Sequence, residues 1–536
     1  MAILNFKKIV TSGFDEDVLV TATDGELILN FGRLTTAGDL ANGIFAAAND
    51  VTILNFGKIE TSGLGAGGIL VFGNDAHIAN YGSLTTHNGF FDPDPDVFGE
   101  EVFSEGILAI GDRFDIANFG TVRVEGEFST AMAGVGSDGI VANYGHVQCL
   151  SSSGVIVAVG DRSQAINWGV VTTTNVDTTA VLVLGEGGSA LNEGRINMAG
   201  EASFGIGGSG VNLSVANAGT ISIIDNGVGI AVSGDGNQIA NSGRIETDGF
   251  FAVGIGSKGF GNAAGFDLQI ENAGHILTDG DLAIGIALGG IGPRYTSAVD
   301  GTVDNSGKVT TEGDGAAGVL IIGTGNHLSN SGRIVTDGGV FDRGAGGLVS
   351  AAGVLVTGDD AVVENASAGI IWSKDADSAA VEFNVLQRSG LSNADTSSQL
   401  TNFGLIKGDT AVLGGAGQET VINHGRLVGD VILGDGADTF VFGQGGSLAG
   451  DLLLGGGDDL VRIENGAGAT HVEDFAAGAS GGDVIDVSAF FSSFGQLVTQ
   501  AEQHGSDVVI TLDPGDTLTL GHVQLGSLNQ NDFLFA

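Results

Sequence analysis

Apolar and polar residues follow a fixed pattern around an asparagine that returns about every 25 residues. An apolar residue lies two positions before each of these marker asparagines, and nearly every marker has another apolar residue four positions after it. Alternate residues of a strand point to opposite faces, so the asparagine and both apolar columns share one face. The markers are Asn5, Asn30, Asn55, Asn80, Asn118, Asn143, Asn167, Asn192, Asn217, Asn241, Asn272, Asn305, Asn330, Asn365, Asn402 and Asn423.

This period predicts an all-β fold, a parallel β-helix (β-solenoid) of about sixteen rungs over residues 1–428. An inward asparagine is costly unless its amide is hydrogen-bonded, and stacked coils let each amide bond the next. After Asn365 the pattern is displaced by one residue, which predicts Ile370 as the inner residue of that coil. An antiparallel meander of hairpins with Asn-Gly-like turns is the alternative.

A second strand is predicted before each marker, as at residues 68–73 and 154–160, so each coil has at least two strands. The repeat pattern, seen in Ile53–Ile59, resembles the asparagine ladders of parallel β-helix proteins. It is also similar to the repeats of autotransporter passengers and filamentous-haemagglutinin-type adhesins. That resemblance implies the same β-helical fold.

The residue after the marker faces outward and is aromatic in the first seven repeats, but small, polar or charged in the seven that follow. Such a contiguous exposed stripe predicts a contact surface. Three interpretations stay open: the chain's own insertion, which includes residues 90–97, covers the stripe; copies self-associate through it into a homo-oligomer or filament; or it stacks on the sugars of a cell-surface glycan. The stripe residues are Phe6, Phe31, Phe56, Tyr81, Phe119, Tyr144 and Trp168.

Two segments, 429–440 and 450–461, share a Gly-x-Gly-x-Asp-x-apolar pattern. They resemble the RTX (repeat-in-toxin) family of calcium-binding repeats, which implies a β-roll and Ca²⁺ ligation within residues 429–466. Hard cations prefer oxygen ligands, and tight glycine turns bring carbonyls and carboxylates together. Ordinary β-helix corners without metal are the alternative. The candidate calcium residues are Asp435, Gly436, Asp438, Gly457, Asp458 and Asp459.

Residues 467–536 resemble the C-terminal region shared by serralysin-type proteases and other type I secretion substrates. The resemblance is carried by residues 472–475, 482–490, 507–510, 515–520 and 532–535. It implies export by an uncleaved C-terminal signal and an extracellular or cell-surface location. Calcium outside the cell would then order the acidic coils after export.

The composition of the chain excludes some classes of binding partner. The chain carries 64 acidic and 19 basic residues, a net charge of −45, which argues against nucleic acid and anionic membranes as partners. Its single cysteine, Cys149, rules out an intramolecular disulfide. No apolar stretch approaches the length of a transmembrane helix and no N-terminal secretion signal is apparent, so we expect no membrane span.

Catalytic motifs are sparse. The chain has neither H-E-x-x-H nor G-x-S-x-G, and its nine histidines show no metal-ligand spacing partner. We therefore expect an extracellular structural or adhesive protein (cell-surface, S-layer-like, biofilm-matrix or filament-forming), stabilised by Ca²⁺ and self-association. The alternative is a secreted polysaccharide-active β-helix enzyme, a lyase, hydrolase or epimerase.

Overall fold

The computed structural model describes residues 2–89, 104–150, 154–257, 266–290, 298–344, 348–383, 396–478 and 482–536. The chain forms two compact units, Met1–Ala263 and Ala264–Ala536. Each unit is a parallel β-helix, as the repeat predicts, and the alternative of an antiparallel meander is wrong for the marker repeats. The predicted insertion at residues 90–97 lies outside the described residues.

Each coil of the first unit contains three strands: a marker strand that ends at the asparagine, a second strand just after it, and a third strand before the next marker strand. The marker strands are Ala2–Asn5, Leu27–Asn30, Thr52–Asn55, His77–Asn80, Asp115–Asn118, Ile140–Asn143, Gln164–Asn167, Ser189–Asn192, Ser214–Asn217 and Gln238–Asn241. The second strands are Lys8–Thr11, Arg33–Thr36, Lys58–Thr61, Ser83–Thr86, Thr121–Val124, His146–Cys149, Val170–Thr173, Arg195–Ala199, Thr220–Ile224 and Arg244–Asp248. The third strands are Leu19–Thr21, Ile44–Ala46, Ile69–Phe72, Ile107–Ile110, Met132–Val135, Gly154–Val159, Thr179–Leu184, Phe204–Ser209, Val228–Ser233 and Val253–Ser257.

The core of the first unit is the stack of inward columns that the sequence pattern predicts. From the second coil onward, the apolar residues two before and four after each marker are at most 2% exposed. The marker amides form a ladder in which each Nδ2 donates to the next Oδ1 at 2.7–2.9 Å, from Asn5 to Asn241. Glycine stands two residues after the marker because coils approach closely there: a Cβ on Gly145 would lie 2.1 Å from the carbonyl oxygen of Gly120.

The second unit keeps the marker ladder from Asn272 to Asn423, again at 2.7–2.9 Å. Its marker strands are Gln269–Asn272, Thr302–Asn305, His327–Asn330, Ala361–Asn365, Ser397–Asn402 and Gln418–Asn423, and the same column continues with Thr439–Phe442, Leu460–Ile463, Val484–Asp486 and Phe533–Leu534. The second strands are His275–Asp279, Lys308–Glu312, Arg333–Asp337, Ile370–Ser373, Leu405–Leu413, Arg426–Ile432 and Ser447–Ala449. The third strands are Ile284–Gly290, Ala317–Ile321, Val354–Val356, Ala379–Phe383, Leu452–Leu453 and Ala469–Val472, and the second strands Leu405–Leu413 and Arg426–Ile432 extend into this column.

One predicted inner residue is wrong. Ile371, rather than Ile370, pairs with Ile334 and is fully buried, while Ile370 pairs with Arg333. The turn after Asn365 is two residues longer than in other coils, and the Asn365 amide donates to the carbonyl of Gly369, four residues on instead of two. The following strand is therefore displaced by two residues.

The C-terminal part of the second unit adds antiparallel strands to the parallel coils. Thr517–Leu520 pairs in parallel with Ala469–Val472 and antiparallel with Asp507–Thr511, which pairs in turn with Ala501–His504. A short helix covers Phe494–Val498, and 3₁₀ turns cover Leu525–Ser527 and Gln530–Asp532. Two-residue strands pair Ala298–Val299 with Gly323–Thr324 and Phe341–Asp342 with Leu348–Val349.

The predicted domain boundaries after residues 428 and 466 stay predictions. Paired coils lie on both sides of each boundary: Arg426–Ile432 pairs with Ser447–Ala449, and Leu460–Ile463 pairs with Val484–Asp486. In the described ranges, no helix is both long and apolar enough to cross a membrane.

Candidate functional site: an aromatic ladder and a column of buried carboxylates

The seven outward aromatic residues of the first unit form one continuous stack, here called the aromatic ladder. It runs in the order Phe6, Phe31, Phe56, Tyr81, Phe119, Tyr144 and Trp168. Successive ring centroids are 4.6–5.0 Å apart, and the ring planes are tilted by 4–8° except at the last step, where the tilt is 22°. The ladder follows from the register, because equivalent residues of parallel strands lie one strand spacing apart.

Stacking decides which parts of the rings are available to a partner. Each internal ring, from Phe31 to Tyr144, has both faces against its neighbours, so the exposed 42–47% of these residues is largely ring edge. A sugar that stacks on an aromatic residue needs an open ring face. The far end of the ladder is held by a hydrogen bond from Trp168 Nε1 to Glu193 Oε2, at 3.1 Å.

A shallow groove of about 620 Å³ runs beside the aromatic ladder. One wall is formed by the rings from Tyr81 to Trp168, and alanines that precede the markers, Ala79, Ala117 and Ala142, lie along its floor. The opposite wall carries His77 and Asp115, whose Nδ1 and Oδ2 atoms are 3.6 Å apart. This wall continues with Ile140 and Gln164, so the groove combines an apolar floor and a ring-edge wall with a wall of mixed polarity.

A second, shorter stack was not predicted. Phe403 and His424 follow the markers Asn402 and Asn423, and their rings stack at 5.3 Å with a tilt of 9°. The same rule that finds the aromatic ladder, an aromatic residue directly after the marker, finds this pair when histidine is counted as aromatic.

The predicted calcium residues Asp438 and Asp459 belong to a column of four buried acids in the second unit, here called the carboxylate column. Glu419, Asp438, Asp459 and Asp483 are 1–4% exposed and lie in successive coils. Each of the three acids after Glu419 accepts the backbone N–H of the preceding acid, at 2.7 Å, 2.8 Å and 3.3 Å along the column. Asp483 also accepts the N–H of Ala476 at 2.8 Å.

The second oxygens of three column acids are buried without a hydrogen-bond partner: Glu419 Oε2, Asp438 Oδ2 and Asp459 Oδ2. Burial raises the pKa of Asp459 to about 7. Burial also raises the pKa of Glu419 and of Asp438. At Glu419, the charge of Asp438 and the hydrogen bond that protonated Glu419 makes with Asp438 add to the rise. Buried, unpaired carboxylate oxygens are costly, and a bound cation relieves that cost.

The other predicted calcium residues lie at the exposed side of the same corner. Asp435 and Asp458 are exposed, and their charges act on the pKa values of Asp438 and Asp483 respectively. Gly436 and Gly457 have φ values of 151° and 142°. A Cβ on Gly457 would lie 1.4 Å from the carbonyl oxygen of Gly436, so this corner admits only glycine.

Glu419 and Asp483 were missed at the sequence level, although strand alternation contains the signal. Asp438 and Asp459 each lie two residues before an inner residue, Phe440 or Val461, and Glu419 lies two before Val421 in the same way. Asp483 stands two before Ile485. The Gly-Asp pattern indicates only the residues at the corner of the coil. The inward column of acids depends on the register between coils.

Comparison with known proteins adds one finding. A family model described as the BigA third pectate lyase-like domain matches residues 2–157. The matched part of the first unit contains the aromatic ladder from Phe6 to Tyr144 and supports the parallel β-helix. No curated protein and no solved structure matches the chain.

Proposed function

We propose that the chain is a structural or adhesive protein of an extracellular surface, whose copies associate through the aromatic ladder and whose C-terminal coils are stabilised by Ca²⁺. The observation that carries the proposal is the unbroken stack of seven rings on a solvent-facing side of regular coils. A ladder of this kind needs no catalytic group, and it supplies an extended contact surface.

A second copy of the chain suits the exposed ring edges better than a glycan. The ring edges repeat at the spacing of the strands, and another copy offers an identical repeat that matches it row by row. Packing two rows of ring edges against each other removes apolar surface from water, and this burial needs no open ring face. The ring faces that sugar stacking requires are covered inside the ladder.

Charge opposes this association and makes it dependent on cations. The net charge of −45 produces repulsion between copies that salt screens within about 10 Å at ~0.1 M. Lys8, Arg33 and Lys58 lie two residues beyond the first three ladder rings and reduce the negative charge there. The association should therefore strengthen when divalent cations are present.

The carboxylate column fits calcium by its ligand chemistry. Glu419, Asp438 and Asp459 each offer an unpartnered buried oxygen, and Asp435 and Asp458 offer exposed carboxylates beside them. Calcium accepts six to eight oxygen ligands, including carboxylates and backbone carbonyls. Bound Ca²⁺ would supply the positive charge that lets these acids stay ionised while buried.

Sedimentation velocity of the intact chain tests the association. In millimolar Ca²⁺ we expect concentration-dependent oligomers from the wild type and mostly monomer from the Phe56→Ser/Tyr144→Ser variant. Val176→Ser/Val211→Ser removes two exposed apolar side chains outside the ladder and serves as the matched control. Equal association of the wild type and the ladder variant would overturn the proposal.

Export is proposed from the resemblance of residues 467–536 to type I secretion substrates. Deleting those residues should retain the chain inside cells that carry a type I exporter, whereas the intact chain should reach the medium or cell surface. Continued export of the truncated chain would contradict this part.

A glycan-active enzyme is the second candidate, and the groove beside the ladder favours it. The groove carries the His77–Asp115 pair, and the matching family model is described as pectate lyase-like. Incubation with acidic polysaccharides, followed by detection of new chain ends, tests it. Turnover that His77→Ala abolishes would establish the enzyme, and the absence of turnover would leave the structural role.

A further inference from the structure

Four polar side chains from three segments of the chain meet on the outer face of the second unit. Asp451, His471 and Glu473 each offer one ligand atom, and these atoms lie within 4.8 Å of one another. His522 joins them through Glu473, with His522 Nε2 3.0 Å from Glu473 Oε1. The group is brought together by neighbouring strands, since Val472 pairs with both Leu452 and Leu520.

This cluster corrects the sequence-level statement that no histidine has a metal-ligand spacing partner. His471 and Glu473 are two residues apart, so strand alternation places both on the outer face while Val472 points into the core. Asp451 reaches the cluster from the preceding coil, where its Oδ1 is 3.0 Å from His471 Nδ1. Only the register between coils reveals the grouping.

The three ligand atoms start close enough together for a small divalent ion, all within 4.8 Å of one another. Zinc binds nitrogen and oxygen ligands at about 2.0–2.2 Å in a tetrahedral arrangement, which places its ligands roughly 3.3 Å from one another. Glu473 Oε2 is 3.2 Å from His471 Nε2, whereas Asp451 Oδ1 is 3.0 Å from the opposite ring nitrogen, Nδ1. One ion binds only one nitrogen of an imidazole, so the carboxylate that faces the other nitrogen must rotate toward the ion to complete the site.

The cluster contains a histidine nitrogen without a hydrogen bond and has more acidic than basic side chains around it. His471 Nε2 is buried and makes no hydrogen bond, although Glu473 Oε2 is 3.2 Å away, because the contact is not aligned as a hydrogen bond. Two further carboxylates lie close: Asp430 accepts the N–H of Asp451, and Asp507 accepts the N–H of His522. A cation would balance this concentration of acids.

We propose that Asp451, His471 and Glu473 bind a divalent transition-metal ion such as Zn²⁺, and that His522 orients Glu473 through the other carboxylate oxygen. Imidazole together with carboxylates selects zinc-like ions over Ca²⁺, which takes oxygen ligands alone. The site is separate in its residues from the carboxylate column and from the aromatic ladder. It would join two coils to the antiparallel C-terminal strands of the second unit.

Isothermal titration of the intact, tag-free chain with Zn²⁺ in saturating Ca²⁺ tests the proposal. We expect one ion per chain for the wild type, loss of that binding in His471→Ala and in Glu473→Gln, and about 10–100-fold weaker binding in His522→Ala. His146→Ala is the matched control, since His146 is exposed on a strand of the first unit and should not change the affinity.

Cobalt substitution separates loss of the site from loss of the fold. Co²⁺ in the wild type should give visible absorption bands of nitrogen and oxygen ligation, and His471→Ala should lose them while its circular dichroism stays that of the wild type. Absence of Zn²⁺ binding by the wild type, or undiminished binding and Co²⁺ bands in His471→Ala, would overturn the proposal.

Discussion

Asp459 is the residue at which the calcium proposal can be tested most sharply. Removing its charge should stabilise the fold when calcium is absent and destabilise the fold when calcium is present. Its side chain is 2% exposed, Oδ1 accepts the N–H of Asp438 at 2.8 Å, and Oδ2 has no partner. Burial raises the pKa of Asp459 to about 7. The ordinary pKa of an aspartate is about 3.9, so keeping this acid ionised in the fold above pH 7 costs up to ~4 kcal/mol.

The perturbation is Asp459→Asn, which keeps an oxygen acceptor for the N–H of Asp438 and removes the charge. In a calcium chelator at about pH 8, we expect the variant to be the more stable chain locally, by up to ~4 kcal/mol. In millimolar Ca²⁺ the order should reverse, because the wild type gains calcium binding and the variant has lost a ligand.

Hydrogen exchange of the intact chain, read by mass spectrometry over residues 419–486, measures this local stability. A difference of ~4 kcal/mol corresponds to exchange slowed about 1000-fold, since ~1.4 kcal/mol is tenfold. Asp225→Asn at an exposed corner of the first unit is the matched control and should leave these peptides unchanged. Faster exchange of the Asp459 variant in chelator, or a calcium response equal to that of the wild type, would refute the reasoning.

Three further predictions concern pH, the marker ladder and the aromatic ladder. In chelator, the exchange protection of residues 419–486, corrected for intrinsic rates, should decrease from about pH 5 to pH 8. The raised pKa of Asp459 stabilises the fold below the unfolded pKa, and that stability is lost as the pH rises through about 7. Constant protection across this range would contradict the prediction. Asn143→Ala breaks amide contacts of 2.9 Å on both sides and should lower the free energy of unfolding by ~2–4 kcal/mol in denaturant melts. Asn49 is exposed, and Asn49→Ala should lower the free energy of unfolding by less than ~1 kcal/mol. Equal losses in the two variants would count against a stabilising marker ladder. Phe56→Ser with Tyr144→Ser removes two stacked contacts at each ring and should lower the melting temperature of the first unit even in dilute monomer, and an unchanged melt would argue against stabilisation by stacking.

The fold could be read from the sequence because one polar residue marks the register. Each marker asparagine points inward, and apolar residues lie at fixed positions before and after it. The marker amides of successive coils hydrogen-bond to one another in the structure, as the repeat predicts. The exception at Ile371 has a local cause: the longer turn before Gly369 displaces the strand, and turn length is not set by hydrophobic alternation. The sequence predicted at least two strands per coil, and the structure has three.

The sites were less visible because they join residues from different coils. The Gly-Asp pattern pointed to Asp438 and Asp459, but their neighbours Glu419 and Asp483 come from flanking coils of unlike sequence. The sequence predicted that the outward aromatic residues form a contiguous stripe. That the stack covers ring faces and leaves edges exposed depends on side-chain torsions, which no sequence pattern specifies.

Photo-crosslinking from within the ladder tests the central claim most directly. Phe119 is replaced by benzoylphenylalanine, ¹⁵N-labelled and unlabelled chains are mixed in millimolar Ca²⁺, and cross-linked peptides are mapped by mass spectrometry. If the ladder is the contact between copies, mixed-isotope cross-links should join position 119 to ladder residues of another copy, such as Phe56 or Tyr144. Cross-links confined to peptides of the same chain, at concentrations where oligomers are present, would contradict the account.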